Sequence, residues 1–263
     1  MYKIKNKLYY KTMPERWFES KKEPKYELSD GEAAAIKELH LPIEKIIKEL
    51  LPNIERGEYS VILGDDASGR IPTLIIGEII EAVYKDRDMM SPLIKFIAGS
   101  TFFTESELER HTKQRLVQDH IAKIKKEVNR NDWKALIVTD TIDLGRSMDV
   151  LMKGLQENGL TADIATIGIV TSSSGSNLES KWGTKVVCGM FGKPMIYSSS
   201  IFGGGGELSG VRKNPKDLFS TPLKEHKSNQ QEIQRKLNKA RALAHEIAVS
   251  IIAKYRDDNL ENI

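Results

Sequence analysis

The chain has 263 residues, 40% of them hydrophobic and 29% charged, an ordinary globular composition at a length that allows roughly three quarters of the unfolded surface to be buried. Its 40 basic and 37 acidic residues leave a formal net charge of +3, too weak a field to imply nucleic acid. The single cysteine, Cys188, excludes a disulfide framework or a thiolate metal site, and no stretch reaches the roughly 18 apolar residues of a membrane span or signal-peptide character, so the expectation is a cytoplasmic protein.

Residues 1–30 are polar, rich in Lys, Glu and Tyr, and read as an irregular arm. Asp30 is placed to cap a helix over 31–40, and Pro42 to start a second one with Ile43, Ile46, Ile47, Leu50 and Leu51 inward. Strands and helices then alternate. A buried strand over 61–63 ends at Gly64, and a loop over 64–70 leads into a helix from Pro72 to about Tyr84. A strand over 93–98 follows, then a helix running to about Val128, for which Thr104 and Glu107 have capping-box spacing. Next come a strand over 135–139, a helix over 147–158 ended by Gly159, and a strand over 164–170. This order predicts an α/β fold, a parallel sheet with helices on both faces.

Beyond Val170 the spacing predicts a Ser/Gly loop over 171–176, strands over 185–190 and 194–199, and a glycine run over 203–206. From about Asn229 the chain is helical, with Ile233, Leu237, Ala240, Ala244, Ile247 and Ile251 recurring at steps of four and three. That stripe suits a helix packed on the body or one that pairs two copies into a homodimer. The chain thus divides into an arm over 1–30, an α/β domain over 31–215 and a helical segment over 216–263.

The informative stretch is residues 135–148, Ala-Leu-Ile-Val-Thr-Asp-Thr-Ile-Asp-Leu-Gly-Arg-Ser-Met. A buried strand runs into Asp140, a short turn contains Gly145, and a helix begins near Ser147. Loops at the carboxyl ends of strands are where open α/β sheets bind ligands. The amides of Leu144, Gly145, Arg146 and Ser147, at a helix N-terminus, suit a phosphate. Asp140 and Asp143 suit sugar hydroxyls, a hydrated Mg2+ or a proton transfer.

This string resembles the signature of type I phosphoribosyltransferases, most closely their hypoxanthine-guanine branch. There a hydrophobic strand is followed by two acids, two apolar residues, Asp, Thr-Gly, a basic residue and Thr. Asp140 stands at the second acid, Asp143 at the later one, Gly145 at the glycine, Arg146 at the basic residue, and Ser147 where the family has Thr. Thr139 replaces the first acid and Leu144 the usual Thr. The resemblance implies a Rossmann-like sheet with helical additions at both ends, and a ribose held by Asp140 with Thr139 beside it. It further implies a 5-phosphate cradled by 144–147, an Mg2+ reached by Asp140 through water, and Asp143 as acid/base at a base nitrogen.

A second loop, Gly64 to Arg70 in sequence, lies where the family keeps its pyrophosphate loop. Ser68, Gly69 and Arg70 suit that role, whereas Asp65 and Asp66 would repel pyrophosphate unless Mg2+ intervenes. The implied partners are phosphoribosyl pyrophosphate and a nucleobase-like small molecule. The alternative is a non-catalytic sensor that retains the phosphoribosyl site, which the loss of the first acid at Thr139 favours. A third reading, an accessory role with nucleic acid through the basic helix 110–126, is opposed by the near-neutral charge. Residues 99–104 are the place for a closing loop. His111, Lys113 and Arg115 read as a solvated basic face. Trp182, Phe191, Tyr197 and Phe202 are candidates for base stacking or, more simply, for the core.

Overall fold

In the computed structural model, which describes residues 28–98, 106–128, 133–170, 175–192, 208–212, 218–222 and 230–260, the alternating apolar runs pair into one sheet. Its strands are β1 (Tyr59–Asp65), β2 (Leu93–Ile97), β3 (Lys134–Ile142), β4 (Thr161–Ile169) and β5 (Val186–Phe191). They lie in the order β2-β1-β3-β4-β5 with every neighbouring pair parallel. Parallel strands need crossover helices, and these cover both faces. Along β3, Ala135 and Ile137 turn to one helical layer while Leu136 and Val138 turn to the other.

One layer holds α1 (Asp30–Lys37), α2 (His40–Glu55), α3 (Arg70–Asp86) and the long C-terminal helix α7 (Gln230–Leu260). The opposite layer holds α4 (Glu107–Val128), α5 (Arg146–Glu157) and α6 (Gly175–Trp182). A short antiparallel pair, β6 (Val211–Arg212) with β7 (Thr221–Pro222), stands apart from the main sheet. The α7 stripe, Ile233, Leu237, Ala240, Ala244, Ile247 and Ile251, is buried, and α7 packs mainly along α3. The α/β expectation is therefore met, with helices added at both ends.

The amino ends of the strands are tied by a buried polar network. Asp163 accepts from the Tyr59 hydroxyl at 2.7 Å, Asn53 Nδ2 at 3.0 Å and Lys134 Nζ at 2.7 Å. Burial, with Asp163 beside it, pushes the Tyr59 phenol far above its usual range. The Tyr84 hydroxyl accepts from Tyr59 N at 2.9 Å and donates to Tyr59 O at 3.1 Å, so one side chain serves both backbone groups where β1 begins.

Several boundaries differ from expectation for identifiable reasons. Ser29, not Asp30, caps α1: its hydroxyl accepts from Glu32 N while the Glu32 carboxylate accepts from Ser29 N. The box at α4 is likewise Ser106 with Glu109; Thr104 lies outside the described residues. Strand β3 continues through Asp140 to Ile142 because β4 continues beside it, pairing Thr141 with Gly168 and Ile142 with Ile169. Helix α6 occupies residues expected to remain loop up to 176, and its Leu178 and Trp182 bury against the α4–α5 layer. Residues 1–27 of the arm expected over 1–30, the strand over 194–199 and the glycine run over 203–206 fall outside the described residues, while Asp30 already belongs to α1.

Candidate functional site

A doubly wound sheet of order 2-1-3-4-5 changes winding direction between β1 and β3, and the crevice beyond their carboxyl ends is where such sheets bind ligands. Here α3 leaves β1 on one face, while α4 and α5 lie on the other. The two stretches singled out in the sequence, 64–70 and 135–148, are brought side by side at that point, with Gly64 beside Val138.

The loop after β1 is organised around Asp66. Its buried carboxylate accepts from Ala67 N at 2.8 Å, Arg70 Nε at 2.7 Å and Ser220 N at 2.6 Å. Burial pushes this carboxyl up, but the Ser220 N–H and the Arg70 guanidinium outweigh it and hold Asp66 below the usual carboxylate range. Arg70 also stacks over the Phe96 ring at 4.4 Å. Ala67 takes a left-handed conformation, φ 69°, which is costly away from glycine and recurs at functional sites. A Cβ at Gly69 would lie 2.5 Å from Asp65 O and 2.9 Å from Val138 O. The close approach that requires glycine is thus to the protein's own backbone. Ser68 is half-exposed on the loop.

The second loop is built on Gly145. Its φ of 72° lets the chain leave β3 and enter α5 directly, and α5 has no side-chain cap. The first N–H groups of a helix have no intrahelical partner, which is what an anion site uses. Beneath the turn lies Trp182 of α6: a Cβ on Gly145 would meet its Cζ2 at 2.8 Å and Cη2 at 3.0 Å. Trp182 Nε1 donates to Asp149 Oδ1 at 2.7 Å, and Lys181 Nζ reaches Asp149 Oδ1 at 2.7 Å. Asp143, Leu144 and Arg146 are exposed on the loop, Ser147 is half-buried, and Asp140 is buried in the strand. Thr139 lies between two carboxylates, its Oγ1 3.4 Å from Asp65 Oδ2 and 3.5 Å from Asp140 Oδ1.

Residues 218–220 cross the β1–β2 side of this crevice. Ala98 N donates to Leu218 O at 2.8 Å, the Phe219 ring meets His120 edge-on at 4.9 Å, and Ser220 N donates to Asp66. Burial, with Lys123 and Lys95 nearby, depresses the His120 pKa.

Other expected residues are placed differently. Lys113 is buried on α4, whereas His111 and Arg115 are exposed, so the solvated basic face holds for two of the three. Trp182 is core, but Phe191, at the carboxyl end of β5, is 73% exposed; Tyr197 and Phe202 lie outside the described residues. Cys188 is half-buried on β5, and burial pushes its thiol up, away from reactivity. A shallow depression of about 290 Å³ lined by Lys37, His40, Leu243, Glu246 and Ile247 belongs to the helical layer of α1, α2 and α7, away from the strand ends.

The sequence reading missed the contributions of Asp65, Lys181, Trp182 and Ser220. Asp65 continues the Val61, Leu63 alternation onto the face of Thr139, a signal legible only once β1 and β3 are known to be neighbours. Nothing local marks Ser220. Among the described residues no three His, Cys, Asp or Glu side chains form a metal cluster. Asp65 and Asp140 are the carboxylates that would hold a hydrated Mg2+, an ion that takes one or two carboxylates. No helix among the described residues is long and apolar enough to cross a membrane.

No family model matches the chain and no curated protein matches it. Among solved structures it is similar to a hypoxanthine-guanine phosphoribosyltransferase from Schistosoma mansoni in complex with IMP, at 16% identity and TM-score 0.34, over 54% of this chain and 57% of that one. It is also similar to an orotate phosphoribosyltransferase from Aeropyrum pernix, at 13% identity and TM-score 0.34, over 60% of this chain and 72% of that one. The chain spans just over half the length of the first of these.

Proposed function

We propose that this chain binds phosphoribosyl pyrophosphate, with Mg2+, in the crevice between β1 and β3, and transfers the phosphoribosyl group to or from the nitrogen of a nucleobase-like molecule. The observation that carries this reading is a single continuous piece of chain. Strand β3 brings Asp140 to the point where the sheet reverses its winding, and Gly145 then opens directly into the uncapped first turn of α5. A carboxylate and an amide array are thereby set a few residues apart, matching a ligand with hydroxyls at one end and a phosphate at the other.

Substitution at an anomeric carbon passes through an oxocarbenium-like state, so positioning and fixed charge supply most of the acceleration. In this reading Asp140 orients the ribose hydroxyls. The amides of 144–147 hold the 5-phosphate, helped by the Arg146 charge and the Ser147 hydroxyl. Asp143, exposed at the mouth of the loop, exchanges a proton with the base nitrogen. Ser68, Gly69 and Arg70 receive the pyrophosphate. Because Asp66 already holds Arg70 Nε, this arginine serves through the rest of its guanidinium. Phe191, exposed at the end of β5, offers a face for a planar base. Bound Mg2+ would supply neutralisation of the departing pyrophosphate.

The second reading, a sensor that binds the same ligand without turnover, is favoured by Thr139 in place of an acid. Calorimetry with phosphoribosyl pyrophosphate and Mg2+, followed by a pyrophosphate-release screen over nucleobases, separates the two. Binding with release supports the transferase, and binding alone supports the sensor. Absence of binding removes both.

A further inference from the structure

We infer that Asp65, at the end of β1, supplies the second carboxylate of the sugar grip in place of the acid that Thr139 lacks; the inference rests on the phosphoribosyl reading above. Successive residues of one strand point to opposite faces, whereas in-register neighbours on paired strands point to the same face. The pairing of Gly64 with Val138 sets Asp65 beside Thr139. A carboxylate on residue 65 therefore occupies the face that one on residue 139 would occupy. The acid has moved across the β1–β3 pair without leaving the site.

Thr139 marks the displacement. Its hydroxyl lies 3.4 Å from Asp65 Oδ2 and 3.5 Å from Asp140 Oδ1. A hydroxyl has one proton to donate, so it serves these carboxylates in turn and sets them on either side of itself. All three side chains are nearly enclosed, with Asp65 5%, Asp140 3% and Thr139 1% exposed. A vicinal diol with its two hydroxyl donors, or a hydrated Mg2+, suits two carboxylates set on either side of one hydroxyl. Asp66 faces Arg70 and the Ser220 and Ala67 amides, whereas Asp65 stands beside Thr139. Asp65 would repel pyrophosphate unless Mg2+ intervenes, and its position beside Thr139 assigns it to the ribose and cation end instead.

The test measures binding of phosphoribosyl pyrophosphate with Mg2+, and of ribose 5-phosphate, to the full chain by calorimetry. Asp65→Asn keeps the shape and removes the charge. The expected loss is about tenfold or more in affinity, comparable to that of Asp140→Asn, since a hydrogen bond to a charged group is at stake. Asp65→Asn/Thr139→Asp, which returns the acid to β3, should recover affinity to within about threefold of the parent; a merely structural Asp65 would show no such recovery. If Asp65→Asn does not fold, Thr139→Val provides the second measurement, because loss of the bridging hydroxyl should lower affinity severalfold. Parent-like affinity in Asp65→Asn, or in Thr139→Val where that is the usable variant, while Asp140→Asn weakens binding, overturns the role of Asp65 and leaves the phosphoribosyl reading standing. Failure of the parent itself to bind either compound removes both.

Discussion

Gly145→Ala probes the turn on which the phosphate site is built. At φ 72° an L-residue pays for its Cβ, and that conformation costs about 1–2 kcal/mol. The new methyl carbon would also stand 2.8 Å from Trp182 Cζ2 and 3.0 Å from Cη2. Trp182 cannot simply swing aside, because its Nε1 is held by Asp149 at 2.7 Å. Forcing a methyl group into a packed contact adds about 1–3 kcal/mol, which brings the total to roughly 2–5 kcal/mol. In a chain of this size that lowers Tm by on the order of 10 °C. Calorimetric melting measures the loss, and titration with ribose 5-phosphate measures what happens to the site. Trp182→Phe separates the two contributions, since it withdraws the clashing atoms and leaves the backbone conformation unchanged. Gly145→Ala should therefore cost about 1–3 kcal/mol less in the Trp182→Phe background. A Gly145→Ala protein that melts within a degree or two of the parent and binds ribose 5-phosphate equally well would refute the reasoning.

The remaining outcomes concern Asp66, Tyr84, Asp143 and Asp140. Asp66→Asn removes the charge that holds Arg70 and the Ser220 amide, and should destabilise the chain by about 3 kcal/mol at neutral pH. Because the folded Asp66 carboxyl lies below its usual range, its contribution is complete above about pH 4 and fades as pH falls through the lower folded value. Urea unfolding at several pH values should accordingly show a shallower acid limb in Asp66→Asn, and identical limbs would count against the assignment. Tyr84→Phe strands the N–H and C=O of Tyr59, both served by one hydroxyl, and should cost about 1–3 kcal/mol in urea unfolding without affecting ligand titration. Under the proposed transferase activity, Asp143→Asn should lower turnover by about a hundredfold to ten-thousandfold while phosphoribosyl binding changes little. Asp140→Asn should instead weaken binding, and a parent-like rate in Asp143→Asn would end the acid/base role.

Local pattern determined much about this protein on its own. Apolar runs of strand length alternating with 3.6-period segments dictate a parallel sheet covered on both faces. The Asp140–Gly145–Ser147 spacing dictates a strand, a turn and a helix N-terminus, because only glycine enters the left-handed turn at low cost and the helix must begin where the strand ladder stops. These are properties of consecutive residues, so they can be read without knowing what lies across from them.

Strand order, and everything that depends on it, was decided by the tertiary structure. That β1 and β3 are neighbours puts Asp65 beside Thr139, although they are 74 residues apart in the chain. Trp182 arrives under Gly145 from a helix that the Ser/Gly-rich sequence before it concealed. Ser220 reaches Asp66 across 154 residues. The length of β3 was likewise set by its partner: Thr141 and Ile142 are strand residues because Gly168 and Ile169 continue alongside them. In each case the deciding contact joins side chains or ladders distant in sequence, and a local pattern carries no record of its eventual neighbour.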